Sequence, residues 1–138
     1  MTGPIRFVLA MAVCSGLGAC RGGGLHPGPA YPENAPRLDP LDIQLRVGSL
    51  AITFTNTTAR VLPEGRVWLN AWYSAPAGPV GVGETVSIPV SAFRDEHGEA
   101  IRGGGFFAAE APEPIVLAQY ATADGLHGVV VVVSDDGP

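Results

Sequence analysis

Few residues of this 138-residue sequence could do chemistry, and their spacing narrows what that chemistry is. Both cysteines, Cys14 and Cys20, lie near the N-terminus, so nothing after residue 20 bears a thiol and no disulfide can close within that remainder. The histidines stand singly at 26, 97 and 127, whereas a zinc site needs three or four converging His, Cys or acidic ligands. His26 sits among glycines and prolines, His97 in a predicted turn and His127 at a predicted strand start, so each reads as solvated surface. Asp95, Glu96 and Glu99 offer oxygen ligands, but they lack the alternating ligands and closing glutamate of a calcium loop. Ser74, Ser87 and Ser91 offer hydroxyls in the same domain as His97, but sequence does not place them together and no Gly-x-Ser-x-Gly elbow is present. The glycine runs at 22–24 and 103–105 lack the Lys-Ser/Thr ending of a phosphate loop. The expectation is a protein with no metal, no cofactor and no catalytic residue.

The remaining candidates are aromatic. Trp68, Asn70 and Trp72 alternate along a predicted strand, with neighbouring same-face positions about 6.6–6.8 Å apart at the usual rise. Two indoles flanking an amide form a stacking platform suited to a sugar ring or a partner's apolar anchor. The competing expectation is structural, with Trp68 filling the core and Trp72, closer to the following loop, the more exposed of the two.

The N-terminus has its own order: one positive charge within Met1–Arg6, an apolar run Phe7–Val13, small residues, then Leu17-Gly18-Ala19-Cys20. A membrane-spanning helix needs ~20 consecutive apolar residues, and this run is too short and is followed by Gly16 and Gly18. It reads as the core of a signal peptide. The alternative is an ordinary secretory signal cleaved after Ala19. The Leu-Gly-Ala-Cys segment resembles the lipobox of bacterial lipoproteins, in which the cysteine becomes the lipidated first residue. The resemblance covers residues 1–20. It implies cleavage after Ala19, diacylglycerol on the Cys20 sulfur and a membrane partner held through that lipid, with a palmitate-type chain. Arg21, rather than an aspartate, in the second mature position implies passage to an outer membrane. The expected location is thus the cell membrane or outer membrane, with the domain facing periplasm or exterior. A thioether also removes the one thiol that export would expose to oxidation.

Loss of residues 1–19 would leave seven arginines against thirteen acids, a net charge of −6. Such an acidic surface argues against a nucleic-acid partner, which needs a basic face. The sequence has no lysine, and its glycine, alanine and proline content points to a GC-rich genome. Residues 20–40, with Gly22–Gly24 and five prolines, read as a tether with an r.m.s. reach of roughly 25 Å. The expected division is a signal peptide over 1–19, lipidated cysteine and tether over 20–40, and one domain over 41–138.

The elements that must position these residues are all strands. Leu41–Val47 and Leu50–Thr55 alternate apolar and polar with a break at Gly48-Ser49, predicting an antiparallel hairpin. Asn56-Thr57-Thr58 reads as the turn that follows, and its match to a glycosylation acceptor reads as accidental. Arg66–Tyr73 predicts a central strand and Ala75–Pro79 a loop. Thr85–Val90 predicts a strand that Pro89 makes either an edge strand or the site of a bulge. Phe93 is expected in the core, Asp95–Gly98 in a hairpin turn and Glu99–Arg102 in a short return strand. Ile115–Thr122 and His127–Val133 complete the set, the Val129–Val133 run suiting a strand covered on both faces. Seven to eight short strands at this spacing predict an all-β, immunoglobulin-like or fibronectin-like antiparallel β-sandwich, with an open small barrel as the alternative. A disulfide pair and a tyrosine corner are absent from the pattern. The function these readings suggest is a lipid-anchored cell-envelope protein with a non-catalytic domain for interaction or assembly, its partner an envelope protein or cell-wall glycan. The alternative is an envelope hydrolase or metal-dependent enzyme on the same fold.

Overall fold

The computed structural model of the protein describes residues 26–101 and 113–133; Leu17, Gly18, Ala19, Cys20, the glycines at 103–105 and Phe106-Phe107 lie outside the described residues. Among the described residues the chain is all-β, with no α-helix. Its strands are β1 (Arg37–Leu38), β2 (Gln44–Val47), β3 (Ala51–Thr55), β4 (Gly65–Leu69), β5 (Tyr73–Ala77), β6 (Thr85–Pro89), β7 (Ala118–Thr122) and β8 (Gly125–Val133), with one 3-10 turn at Val90–Ala92. They join in the order β5-β4-β7-β8-β2-β3-β6, and β1 adds to β8.

β8 is the hinge of this arrangement. Its first half pairs antiparallel with β7 (Ala118↔Val129 to Thr122↔Gly125), and its second half pairs parallel with β2 (Gln44↔Val130 to Val47↔Val133). The sheet therefore carries β5, β4 and β7 on one side of β8 and β2, β3 and β6 on the other. The two halves curl toward each other and share one core. Val67, Leu69, Ala75 and Tyr120 come from the first half, and Leu45, Ile52, Phe54 and Ile88 from the second. Phe54 meets Tyr120 edge-on across the gap, with ring centroids 6.2 Å apart. Phe93 is fully buried, as its position predicts.

The first hairpin forms in the expected register, Leu45 opposite Phe54. β6, carrying Pro89 at its end, closes one edge of the sheet, where a missing N–H costs no ladder bond. Several expectations are corrected. Arg66–Tyr73 is not one strand: the chain reverses at Asn70 and Ala71, whose φ values are 52° and 55°, and Ala75–Ala77, expected as loop, belongs to β5. Leu69 pairs with Tyr73 and Val67 with Ala75, so each pair has the same parity and faces the same way. The alternation thus runs unbroken through the turn and conceals it. Pro76 is tolerated because β5 is the other sheet edge.

The expected return strand at 99–102 is a single bridge, Arg94↔Ala100, with Arg102 outside the described residues. Val129–Val133 is not covered on both faces: Val129 and Val131 pack partly against the core while Val130 and Val133 are exposed. Residues 26–40 are not a free tether. The Gly28 N–H donates to the Asp95 carbonyl (2.7 Å), Arg37–Leu38 pair parallel with Leu126–His127, and the Leu41 N–H donates to the Gly128 carbonyl (2.9 Å). Chain pairing has overridden a proline-rich composition, because free N–H and C=O groups along β8 accept any extended segment that reaches them.

Candidate functional site

The β4–β5 hairpin carries the three candidate binding residues, and the structure gives each a different task. Trp68 projects from the face of β4 opposite to Val67 and Leu69, and it is 2% exposed. Its cover is Tyr31, whose ring meets the indole edge-on at 5.2 Å. Tyr31 is held in turn: its hydroxyl donates to Gln119 Oε1 (2.7 Å) and accepts from Arg37 (2.9 Å), whose guanidinium also lies 5.5 Å from the ring centroid. Ser74, opposite Trp68, is buried and accepts from the Arg66 guanidinium at 3.2 and 3.3 Å. Burial lowers the Arg66 pKa.

Asn70 is spent on the backbone. Its amide nitrogen donates to the Pro114 carbonyl (2.8 Å), and its Oδ1 accepts from the N–H groups of Val116 (2.9 Å) and Leu117 (3.2 Å). Its own N–H donates to the Leu117 carbonyl (2.8 Å). Asparagine suits this turn for a second reason, since it tolerates the left-handed backbone better than most residues. Its oxygen and one amide N–H are thus committed to the 114–117 backbone, not to a ligand between two indoles.

Trp72 is 48% exposed, the more open of the two tryptophans as its position predicts. Its indole lies beside the Asp95 carboxylate and helps to lower that group's pKa. Asp95 organises the 95–98 turn: its Oδ1 accepts the N–H groups of His97 (2.9 Å) and Glu99 (2.7 Å), and its carbonyl accepts that of Gly98 (3.1 Å). Desolvation raises the Asp95 pKa, but the amides of Glu99 and His97, the His97 charge and the Trp72 indole together outweigh it and hold the group below its ordinary value. Between this turn and residues 30–35 lies a cleft of ≈ 610 Å³, lined by Tyr31, Glu33, Asn34, Trp72 and Glu96.

The other candidates are dispersed. His97 is exposed and lies 3.6 Å from Glu96, and His127 Nδ1 bonds the Asp39 carbonyl (2.7 Å). Ser87 sits opposite Thr53 at 3.5 Å, and the Ser91 carbonyl accepts from Arg94. Among the described residues no three His, Cys, Asp or Glu side chains are grouped to hold a metal. Asn56 is fully buried, donating to the carbonyls of Arg60 (2.8 Å) and Val80 (3.0 Å) and accepting from Thr58. The folded chain therefore cannot offer the Asn56-Thr57-Thr58 triplet for glycosylation.

Sequence reasoning missed Tyr31, Arg37 and Gln119, which together close the face over Trp68. A signal for Tyr31 was present, because it is the one aromatic residue between 21 and 40. A second polar surface lies across β2 and β3, where Asp42, Gln44, Arg46, Thr53, Thr55 and Thr57 line a cleft of ≈ 590 Å³. Thr55 and Thr85 share a hydrogen bond of 2.7 Å there. Compared with known proteins, the chain matches no family model, no curated protein and no solved structure.

Proposed function

We propose that this protein is a lipid-anchored component of a bacterial cell envelope, whose domain is a non-catalytic module for interaction or assembly. The observation that carries the reading is Leu17-Gly18-Ala19-Cys20 after a short apolar run, which resembles a lipobox and lies just ahead of a folded domain that begins by residue 28. The partner is an envelope protein or cell-wall glycan. The hydroxyl-lined face of β2, β3 and β6 supports it, since polar side chains projecting from a rigid sheet suit a hydrogen-bonding ligand. The finer fold assignment belongs here too: an immunoglobulin-like or fibronectin-like sandwich is supported by the way one continuous mixed sheet carries β5, β4 and β7 on one side of β8 and β2, β3 and β6 on the other around a shared core. The parallel β2–β8 ladder that joins them is what the open-barrel alternative rests on.

Replacing Cys20 with Ala tests the anchor. The natural chain should incorporate radiolabelled palmitate and sediment with membranes, and the variant should lose the label. A variant that keeps both overturns the reading. Metal analysis of the purified protein addresses the enzyme alternative, which stoichiometric bound metal would favour.

A further inference from the structure

We infer that the rim of the fold carrying Trp72 is a membrane-docking surface that rests on the bilayer to which Cys20 is attached. The inference depends on the anchoring part of the proposed function and adds an orientation to it.

Strand polarity assembles the rim. β4 and β8 run the same way because each is antiparallel to β7, and β2 is parallel to β8. The end of β4 at Asn70–Trp72, the end of β2 at Gly48–Leu50, the end of β8 at Val133 and the entry to β7 at Val116-Leu117 therefore lie at one end of the sheet. Asn70 ties two of these together through its bonds to Val116 and Leu117. The Val90 N–H donates to the Leu50 carbonyl (2.9 Å) and brings the end of β6 to the same rim. Eight large hydrophobic residues are exposed among the described residues, and five of them, Leu50, Trp72, Val116, Leu117 and Val133, are here. Leu50 and Val116 are 83% and 77% exposed. The opposite end presents Glu64, Glu84 and Asp124, with Val61 and Val82 among them; the rim itself also carries Glu33 and Glu96, which line the cleft beside Trp72 and face headgroups rather than acyl chains. A half-exposed indole beside projecting aliphatic side chains suits the boundary between headgroups and acyl chains.

The chain leaves the domain at this rim. Gly28, bonded to Asp95 beside Trp72, lies eight residues after Cys20, a contour of at most about 29 Å. A domain of this length is about 35 Å across, taking its radius of gyration as about 13 Å. The tether is thus too short to carry the domain around so that its far end faces the lipid. Tethering also raises the effective concentration of membrane at the rim to roughly the millimolar range, enough to seat an apolar patch too small to bind alone. The mature chain would carry a net charge of −6, so anionic lipid does not attract it and docking should persist at raised salt.

The test uses the lipidated full-length protein in phosphatidylethanolamine/phosphatidylglycerol vesicles with shallow brominated lipids. Trp68 is shielded by Tyr31, so quenching by bromine reports Trp72. The expected result is partial quenching of the emission, with Trp72 protected several-fold from aqueous iodide. Trp72→Phe should abolish the bromine-sensitive fraction, and Val116→Glu, which keeps the backbone bond to Asn70 and changes only an exposed side chain, should reduce it several-fold. Labelled protein whose Trp72 stays open to iodide and unquenched by bromolipid overturns the docking while leaving the anchor intact. Iodide protection without bromolipid quenching also overturns it, because a second copy or another protein then covers the rim. Failure of Cys20 to take up palmitate overturns the anchor itself.

Discussion

At the scale of single residues, three side chains spend their polar groups on chain geometry. Asp95 accepts the N–H groups of His97 and Glu99, which holds its pKa low. A group whose folded pKa lies below its unfolded value contributes stability above the unfolded value and loses it as pH falls through the folded one. Acid titration should therefore destabilise the domain below about pH 4, where free aspartate protonates, and Asp95→Ala should flatten that limb of the curve. Tyr120 shows the opposite sign. Burial, and secondly the Glu64 charge, raise its pKa, and its hydroxyl lies 2.7 Å from the Pro63 carbonyl and 3.3 Å from that of Ala77. Its contribution is complete below the ordinary tyrosine value near ~10 and disappears as pH rises through the higher folded value. Tyr120→Phe should cost about 1–3 kcal/mol by denaturant unfolding, because a buried carbonyl loses its donor. Asn70→Ala loses three hydrogen bonds and places a Cβ-bearing residue without a polar side chain in the left-handed region. It should cost more than Asn70→Gly, which loses the same bonds but suits a φ of 52°.

At the scale of elements, the β4–β5 hairpin and the segment ahead of β1 depend on one another. Trp68 would face water on the outer side of the sheet without Tyr31, and Tyr31 is positioned by Gln119 and Arg37. Trp68→Ala should cost ~3–5 kcal/mol, the usual loss for a large buried aromatic, while Trp72→Phe should cost clearly less. Gly28 fixes the start of the segment: a Cβ there would stand 2.9 Å from the carbonyl oxygens of Arg94 and Asp95. Gly28→Ala should loosen residues 26–36 and shift Trp68 emission toward longer wavelength as its cover lifts. An unchanged spectrum would show that Tyr31 stays in place without the Gly28 contact.

At the scale of the whole molecule, β8 links every other strand into one core, pairing with β7 on one edge and with β1 and β2 on the other. Opening it exposes both halves at once. Hydrogen exchange should accordingly be slowest in β8, β7 and β4 and faster in the edge strands β5 and β6.

The sequence alone determined the all-β class, the first hairpin and the burial of Phe93, and it narrowed β6 to an edge strand or a bulge. Each follows from local alternation, or from a proline that cannot donate to a ladder. The Leu17-Gly18-Ala19-Cys20 resemblance was likewise read from the linear string, and those residues lie outside the described part of the structure. Tertiary structure decided the rest. The β4–β5 turn kept the parity of its flanking strands and contained no glycine or proline, so alternation alone could not reveal it. Residues 26–40 looked like a tether by composition and became part of the fold because β8 and Asp95 supplied partners more than 50 residues away. The tryptophan platform dissolved for the same reason. Spacing along a chain sets which face a side chain takes, but only the packed neighbours decide whether that face meets Tyr31, a backbone amide or solvent.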